Sequence, residues 1–106
     1  MPTDGAEIID LHGAYLVPGF VDPHVHGGAG ADFMDGTEDA FRLVCRAHAR
    51  HGSTGLLPTT TVARHDRHLT FLDPCRRVKA DRRDGKARVT RRSSCSGIEA
   101  LRGPRP

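Results

Sequence analysis

The sequence predicts an α/β fold with a parallel sheet, and three observations carry that expectation. Short apolar runs alternate with segments of helical period; the first well-defined run opens into a cluster of glycines; and the resulting order is strand, glycine turn, helix, strand, helix. That order is what strands joined by crossover helices produce. With 106 residues the chain has room for one core.

Residues Glu7 to Leu11 form a short apolar run, Ile8, Ile9 and Leu11, closed by Gly13, and read as a strand. Ala14 to Val17 is a second run, stopped by Pro18 and Gly19. The stretch 19–26 reads as a strand that enters a flexible turn at Gly27, Gly28 and Gly30, with Pro23 weakening the pairing near its end because proline has no N–H to donate. At Thr37 the period changes. Thr37 can cap a helix, Glu38 and Asp39 sit where the helix dipole favours acids, and Phe41, Val44, Cys45 and His48 recur at helical spacing, with Gly52 as the residue after the cap.

Ser53 to Thr61 reads as a buried strand with a polar end. A second helix is expected from Arg64 to about residue 73, on a face made by Leu69 and Leu72, with Val78 continuing the period and Pro74 ending it. Beyond Lys79 no apolar period persists, and the Arg, Ser, Gly and Pro enrichment predicts a basic, disordered end. The expected organisation is thus residues 1–18, 19–80 and 81–106.

Charge follows the same division. Residues 1–78 hold seven Lys and Arg against ten Asp and Glu, whereas 79–106 hold nine against three. The overall +3 is a property of the end of the chain, which lacks aromatic residues for stacking, so nucleic acid is not an expected partner. Cys45, Cys75 and Cys95 are odd in number and include no C-x-x-C pair, which argues against a disulfide framework and a thiolate zinc site and fits a reducing compartment. No run approaches the ~18 apolar residues of a membrane span, and the opening residues do not resemble a signal peptide. The expectation is a cytoplasmic protein with no membrane partner.

Asp22-Pro23-His24-Val25-His26-Gly27-Gly28 carries the chemistry. On a strand His24 and His26 point the same way, about 6.6 Å apart along the axis at ~3.3 Å per residue, so two imidazoles can close on one ion, and the following glycines do not crowd it. Taken alone, H-x-H is equally a pair of loop histidines. His48 and His51, and likewise His65 and His68, are read as solvent-facing helix positions. Asp22 is read as a structural residue, and Thr59 and Thr60 as candidates either to line a polar site or to satisfy backbone groups.

The string from Tyr15 through Pro18-Gly19-Phe20-Val21-Asp22 into the histidine pair resembles the signature of the amidohydrolase superfamily. The blocks Gly27 to Asp35 and His51 to Thr60 are similar to the N-acetylglucosamine-6-phosphate deacetylases in particular. The resemblance runs from about Gly13 to Ala63 and more faintly towards Val89. It implies the opening strand-helix-strand-helix segment of a TIM-like (β/α)8 barrel, preceded by a short piece of β-sandwich and incomplete. It also implies His24 and His26 as metal ligands at the end of the first barrel strand, zinc or iron as the ion, and an amino-sugar phosphate as substrate, cleaved to acetate and glucosamine 6-phosphate.

The family's metal-binding Glu, its two further His ligands and its general acid and base Asp belong to later strands. No catalytic residue is therefore expected within this chain, which is read as truncated and inactive, with 81–106 having the composition of an out-of-frame reading of a GC-rich gene. A family homo-oligomer is not expected to form from it. The other readings are a dihydroorotase-like cyclic-amide hydrolase, against which the Asp32-Phe33-Met34-Asp35 block argues, and a small non-catalytic metal-binding or interaction protein.

Overall fold

The computed structural model describes residues 4–81 and 85–89. Three strands form a parallel sheet: β1 (Phe20–Val25), β4 (Ser53–Pro58) and β5 (Arg88–Val89), in the order β1-β4-β5. Between β1 and the first helix a two-stranded antiparallel hairpin, β2 (Gly27–Gly28) with β3 (Ala31–Asp32), turns the chain, followed by a 3-10 turn at Phe33–Asp35. Helix α1 (Glu38–Arg50) returns to β4, and α2 (His65–Ala80) leads towards β5. The α/β expectation with a parallel sheet holds.

Local chemistry explains the boundaries. Thr37 caps α1, its hydroxyl accepting the Ala40 N–H at 3.2 Å, and Gly52 takes a left-handed φ of 89° just past the helix. The Asp-Phe-Met-Asp block is a reciprocal cap. Asp32 accepts from the Met34 N–H and Asp35 accepts from the Asp32 N–H, while Phe33 and Met34 turn into the core. At Pro23 the β1–β4 register breaks between Asp22 and Val25, as a residue without a donor requires.

The core lies between the sheet and the two helices. Val25, Leu56 and Val89 from the strands meet Phe41, Val44 and Cys45 of α1 and Phe71, Cys75 and Val78 of α2. Phe33, Phe41 and Phe71 form a file of tilted rings, with centroids 4.6 and 5.4 Å apart, that ties the 3-10 turn to both helices. Arg42 joins Glu38 on its own helix to Asp81 beyond the end of α2.

Several expectations are corrected. Helix α2 passes through Pro74 to Ala80. Proline costs about 3 kcal/mol in a helix interior, but the turn beyond it buries Cys75 and Val78, and a fully buried aliphatic side chain contributes about 1.5–3 kcal/mol. The buried face of α2 is His68, Phe71, Pro74, Cys75 and Val78; Leu69 is exposed and Leu72 only half-buried, because the large Phe71 ring takes the core position.

Residues Glu7 to Leu11 form no strand: Ile8 and Ile9 are 75% and 73% exposed, and no partner chain segment pairs with them among the described residues. A strand without a ladder leaves its backbone groups to water. Within 81–106, Arg88–Val89 is ordered as β5 against Gly55 and Leu56, because Val89 and Ala87 can enter the core. Residues 82–84 and 90–106, including Cys95, lie outside the described residues.

Phe20 and Val21 are 67% and 62% exposed although, as neighbours on a strand, they face opposite ways, so the start of β1 lacks cover on both sides among the described residues. Leu56, on the strand expected to be buried, is fully buried beneath the helices. The aromatic file makes one prediction. Phe41→Ala should lower stability by about 3–5 kcal/mol, as truncation of a fully buried ring does, and this would be read as loss of the cooperative urea transition followed by circular dichroism.

Candidate metal-ligand site

The end of β1 carries His24 and His26, and strand alternation brings them to the same side. Their Nε2 atoms lie 3.2 Å apart, with the rings edge to face at 85°. The His26 ring is oriented from behind: its Nδ1 lies 3.0 Å from the carbonyl oxygen of Thr59 at the end of β4. A carbonyl only accepts, so Nδ1 carries the proton, and the Nε2 of neutral His26 is left with a lone pair. In a metal-free state His24 Nε2–H can donate to that lone pair.

The spacing also fits a shared ion. Two imidazole nitrogens each ~2.0–2.1 Å from one ion at a tetrahedral angle lie about 3.3 Å apart, close to the separation observed here. Imidazole nitrogens suit zinc and iron among other metals. Two ligands do not complete such a centre, and among the described residues no group of three or more His, Cys, Asp or Glu converges as a ligand set.

The neighbouring residues hold this geometry. Asp22 Oδ1 accepts the His24 N–H at 3.0 Å, which gives it a positioning role on the backbone. Thr59 continues the β1–β4 ladder, its N–H donating to the Val25 carbonyl at 2.9 Å, and its hydroxyl donates to the Leu57 carbonyl at 3.0 Å. Thr60 is buried beside it, and its hydroxyl has no hydrogen-bond partner among the described residues.

The glycines after the pair have a steric reason: a Cβ on Gly27 would lie 2.3 Å from the Ala31 carbonyl oxygen across the hairpin. His48 is half-buried rather than solvent-facing, with Nε2 3.1 Å from the Gly27 carbonyl oxygen, so α1 anchors the hairpin. His68 also departs from the solvent-facing expectation: it is buried on α2 with Nδ1 unpartnered among the described residues. His51 and His65 are exposed as expected. The partners missed in the sequence, the Thr59 carbonyl and His48, act through contacts 33 and 21 residues away in the chain, which no local pattern reveals.

No protein-family model matches the chain. The chain is 36% identical over 80 residues to the N-acetylglucosamine-6-phosphate deacetylase of Vibrio furnissii, covering 76% of this chain and 20% of that protein. It is 46% identical over 48 residues to an N-acetylgalactosamine-6-phosphate deacetylase of Escherichia coli, covering 45% of this chain and 13% of that one. The crystal structure of the N-acetyl-D-glucosamine-6-phosphate deacetylase from Mycobacterium smegmatis superposes with a TM-score of 0.56 at 37% identity, over 63% of this chain and 19% of that chain.

This chain is related to the N-acetylglucosamine-6-phosphate deacetylases. It spans about a fifth of the length of the Vibrio furnissii deacetylase. The deacetylase-like block Asp32 to Asp35 proves to be architectural, since both carboxylates cap the 3-10 turn and neither is needed to explain the histidine pair. The second deacetylase-like block, His51 to Thr60, supplies both the strand beside β1 and the carbonyl that orients His26.

Two predictions follow from this geometry. Gly27→Ala should cost about 1–3 kcal/mol, the usual range for overpacking, measured as a shift in the urea midpoint. The second concerns Cys45, a fully buried thiol that forms no disulfide. Burial pushes Cys45 up to about 11 from an ordinary 9.0, opposed in part by the nearby Lys86 and raised further by Cys75. A raised thiol value favours the folded state fully below pH 9, where neither state ionises, and that contribution is lost as pH rises from about 9 to about 11. Urea titrations across this window should show falling stability, and Cys45→Ala should flatten the slope.

Proposed function

We propose that this chain supplies the opening portion of a TIM-like barrel in a metal-dependent deacetylase of N-acetylated amino-sugar phosphates, with His24 and His26 as metal ligands. The observation that carries this reading is the 3.2 Å separation of the two Nε2 atoms at the C-terminal end of a parallel strand, the end at which such barrels place their functional groups. On this reading residues 19–80 are the first two βα units of that barrel, β5 begins a third within 81–106, and residues 1–18 are the remnant of a small β domain and its linker.

A bound divalent ion, zinc or iron, would supply an acidified water and polarise the scissile amide carbonyl. The chain's own residues prepare that site. The Thr59 carbonyl keeps the His26 proton on Nδ1, Asp22 fixes the His24 backbone, and the hairpin at Gly27–Gly28 carries the chain away from both rings. Thr60, with its unpartnered hydroxyl, is the better substrate-facing candidate of the threonine pair, since the Thr59 hydroxyl is spent on Leu57.

The products would be acetate and the free amino-sugar phosphate, in a cytoplasmic setting.

Zinc titration followed by calorimetry, with cobalt as a spectroscopic probe, tests the ligand assignment. The full chain should bind one ion weakly, and His24→Ala or His26→Ala should each weaken binding at least tenfold. Equal affinity in the variants would overturn the assignment. A second reading, a small non-catalytic metal-binding protein, is favoured by the closed core of Phe33, Phe41, Leu56 and Phe71. A cooperative thermal transition of the isolated monomer would support it, and a molten, dye-binding ensemble would exclude it.

A further inference from the structure

A cleft lies at the other end of the sheet from the histidine pair. It measures about 660 Å³ and lies between the end of α1, the start of β4 and the approach to β5. Arg50, Lys86 and Arg88 line it together with Ser53 and Thr54, and none of its described lining residues is acidic. Three cations that approach one another in a concave surface repel unless an anion joins them, and the concavity raises their shared field.

Lys86 is the fixed point. Its Nζ donates to the Asp81 carbonyl at 2.6 Å and to the Val78 carbonyl at 3.3 Å. An ammonium has three donors, so one remains beyond these two, and the conformational cost of holding the side chain has already been met by folding. Both acceptors are neutral carbonyls, which leaves the positive charge in place.

The α1 C-terminus would ordinarily oppose an anion here. Several of its late carbonyls are occupied, however: Cys45 accepts from the Ala87 N–H, His48 from His51 and Ala49 from Gly52, while Gly52 in turn accepts from Phe20. Two of the last four carbonyls of the helix, those of His48 and Ala49, are thereby satisfied within the protein, which leaves less of the helix end to oppose an anion.

We propose that this cleft binds a phosphate-type oxyanion, free or as a phosphomonoester, held by Arg50, Lys86 and Arg88 with help from the Ser53 hydroxyl. Arginine forks match phosphate oxygens in pairs, and a lysine serves as the point charge between them. The site is separate from the histidine pair, which sits at the opposite ends of the same parallel strands.

The test titrates the full, isotope-labelled chain with inorganic phosphate at constant ionic strength, chloride making up the balance, and follows backbone amide shifts. Saturable shifts at Ser53, Thr54 and Lys86, without change at His26 and Thr59, are expected. The double variant Arg50→Gln with Arg88→Gln should weaken binding at least tenfold, whereas His24→Ala should bind as the parent does. Tighter binding of glycerol phosphate than of inorganic phosphate would assign a phosphorylated metabolite, and equal binding would assign the free ion. Shifts that fail to saturate, or an unchanged constant in the double variant, would overturn the proposal, and the parent chain alone suffices for the first of these. Because no metal is present in this titration, its failure would leave the metal-ligand assignment untouched.

Discussion

Parallel pairing of β1 with β4 is the constraint on which the site depends. The ladder runs from Phe20 opposite Ser53 to Val25 opposite Pro58 and continues as Thr59 N–H to the Val25 carbonyl. That last bond places the Thr59 carbonyl behind the His26 ring, where it fixes the tautomer. A register slip of one residue would turn the Thr59 carbonyl away and reverse the faces of both histidines. The register is held in turn by Leu56, which is fully buried against the helices and would be expelled from the core by the same slip.

The helices serve the strand ends as much as they serve the core. α1 buries Phe41, Val44 and Cys45 and, from the same element, sends His48 to the Gly27 carbonyl, so the hairpin after the histidine pair is anchored to a packed helix. The 3-10 turn completes the connection. Its two aspartates are spent on capping, and its Phe33 stacks on Phe41, so hairpin position and core packing are coupled. Arg42, with its charge raised in persistence by the hydrogen bonds to Asp81 and Glu38, secures the far end of the helix pair.

The structure also shows where cover is missing. The start of β1 is exposed on both faces, and β1 has a neighbour on one side only among the described residues. Apolar groups at Ile8, Ile9, Tyr15, Leu16 and Val17 are exposed as well. Exposed apolar surface of this kind, next to an open strand edge, favours association. It contrasts with the closed core beneath the helices, so the chain combines one finished layer contact with one open strand.

Much of this was legible in the sequence because its signals are local. Strand alternation placed His24 and His26 on one side, Thr37 and Gly52 bounded α1, and Pro23 marked the loss of pairing, since each effect depends on neighbours within a few residues. Tertiary structure decided the rest. It carried α2 through Pro74, because burial of Cys75 and Val78 outweighed the local penalty; it ordered Arg88–Val89, because β4 offered a free edge; and it left Glu7 to Leu11 unpaired among the described residues. It also gave His26 its orienting carbonyl and His48 its anchor, since hydrogen bonds spanning 33 and 21 residues exist only once the sheet and helix have met. Composition and spacing determine which side chains share a face, and only the folded chain determines what stands opposite them.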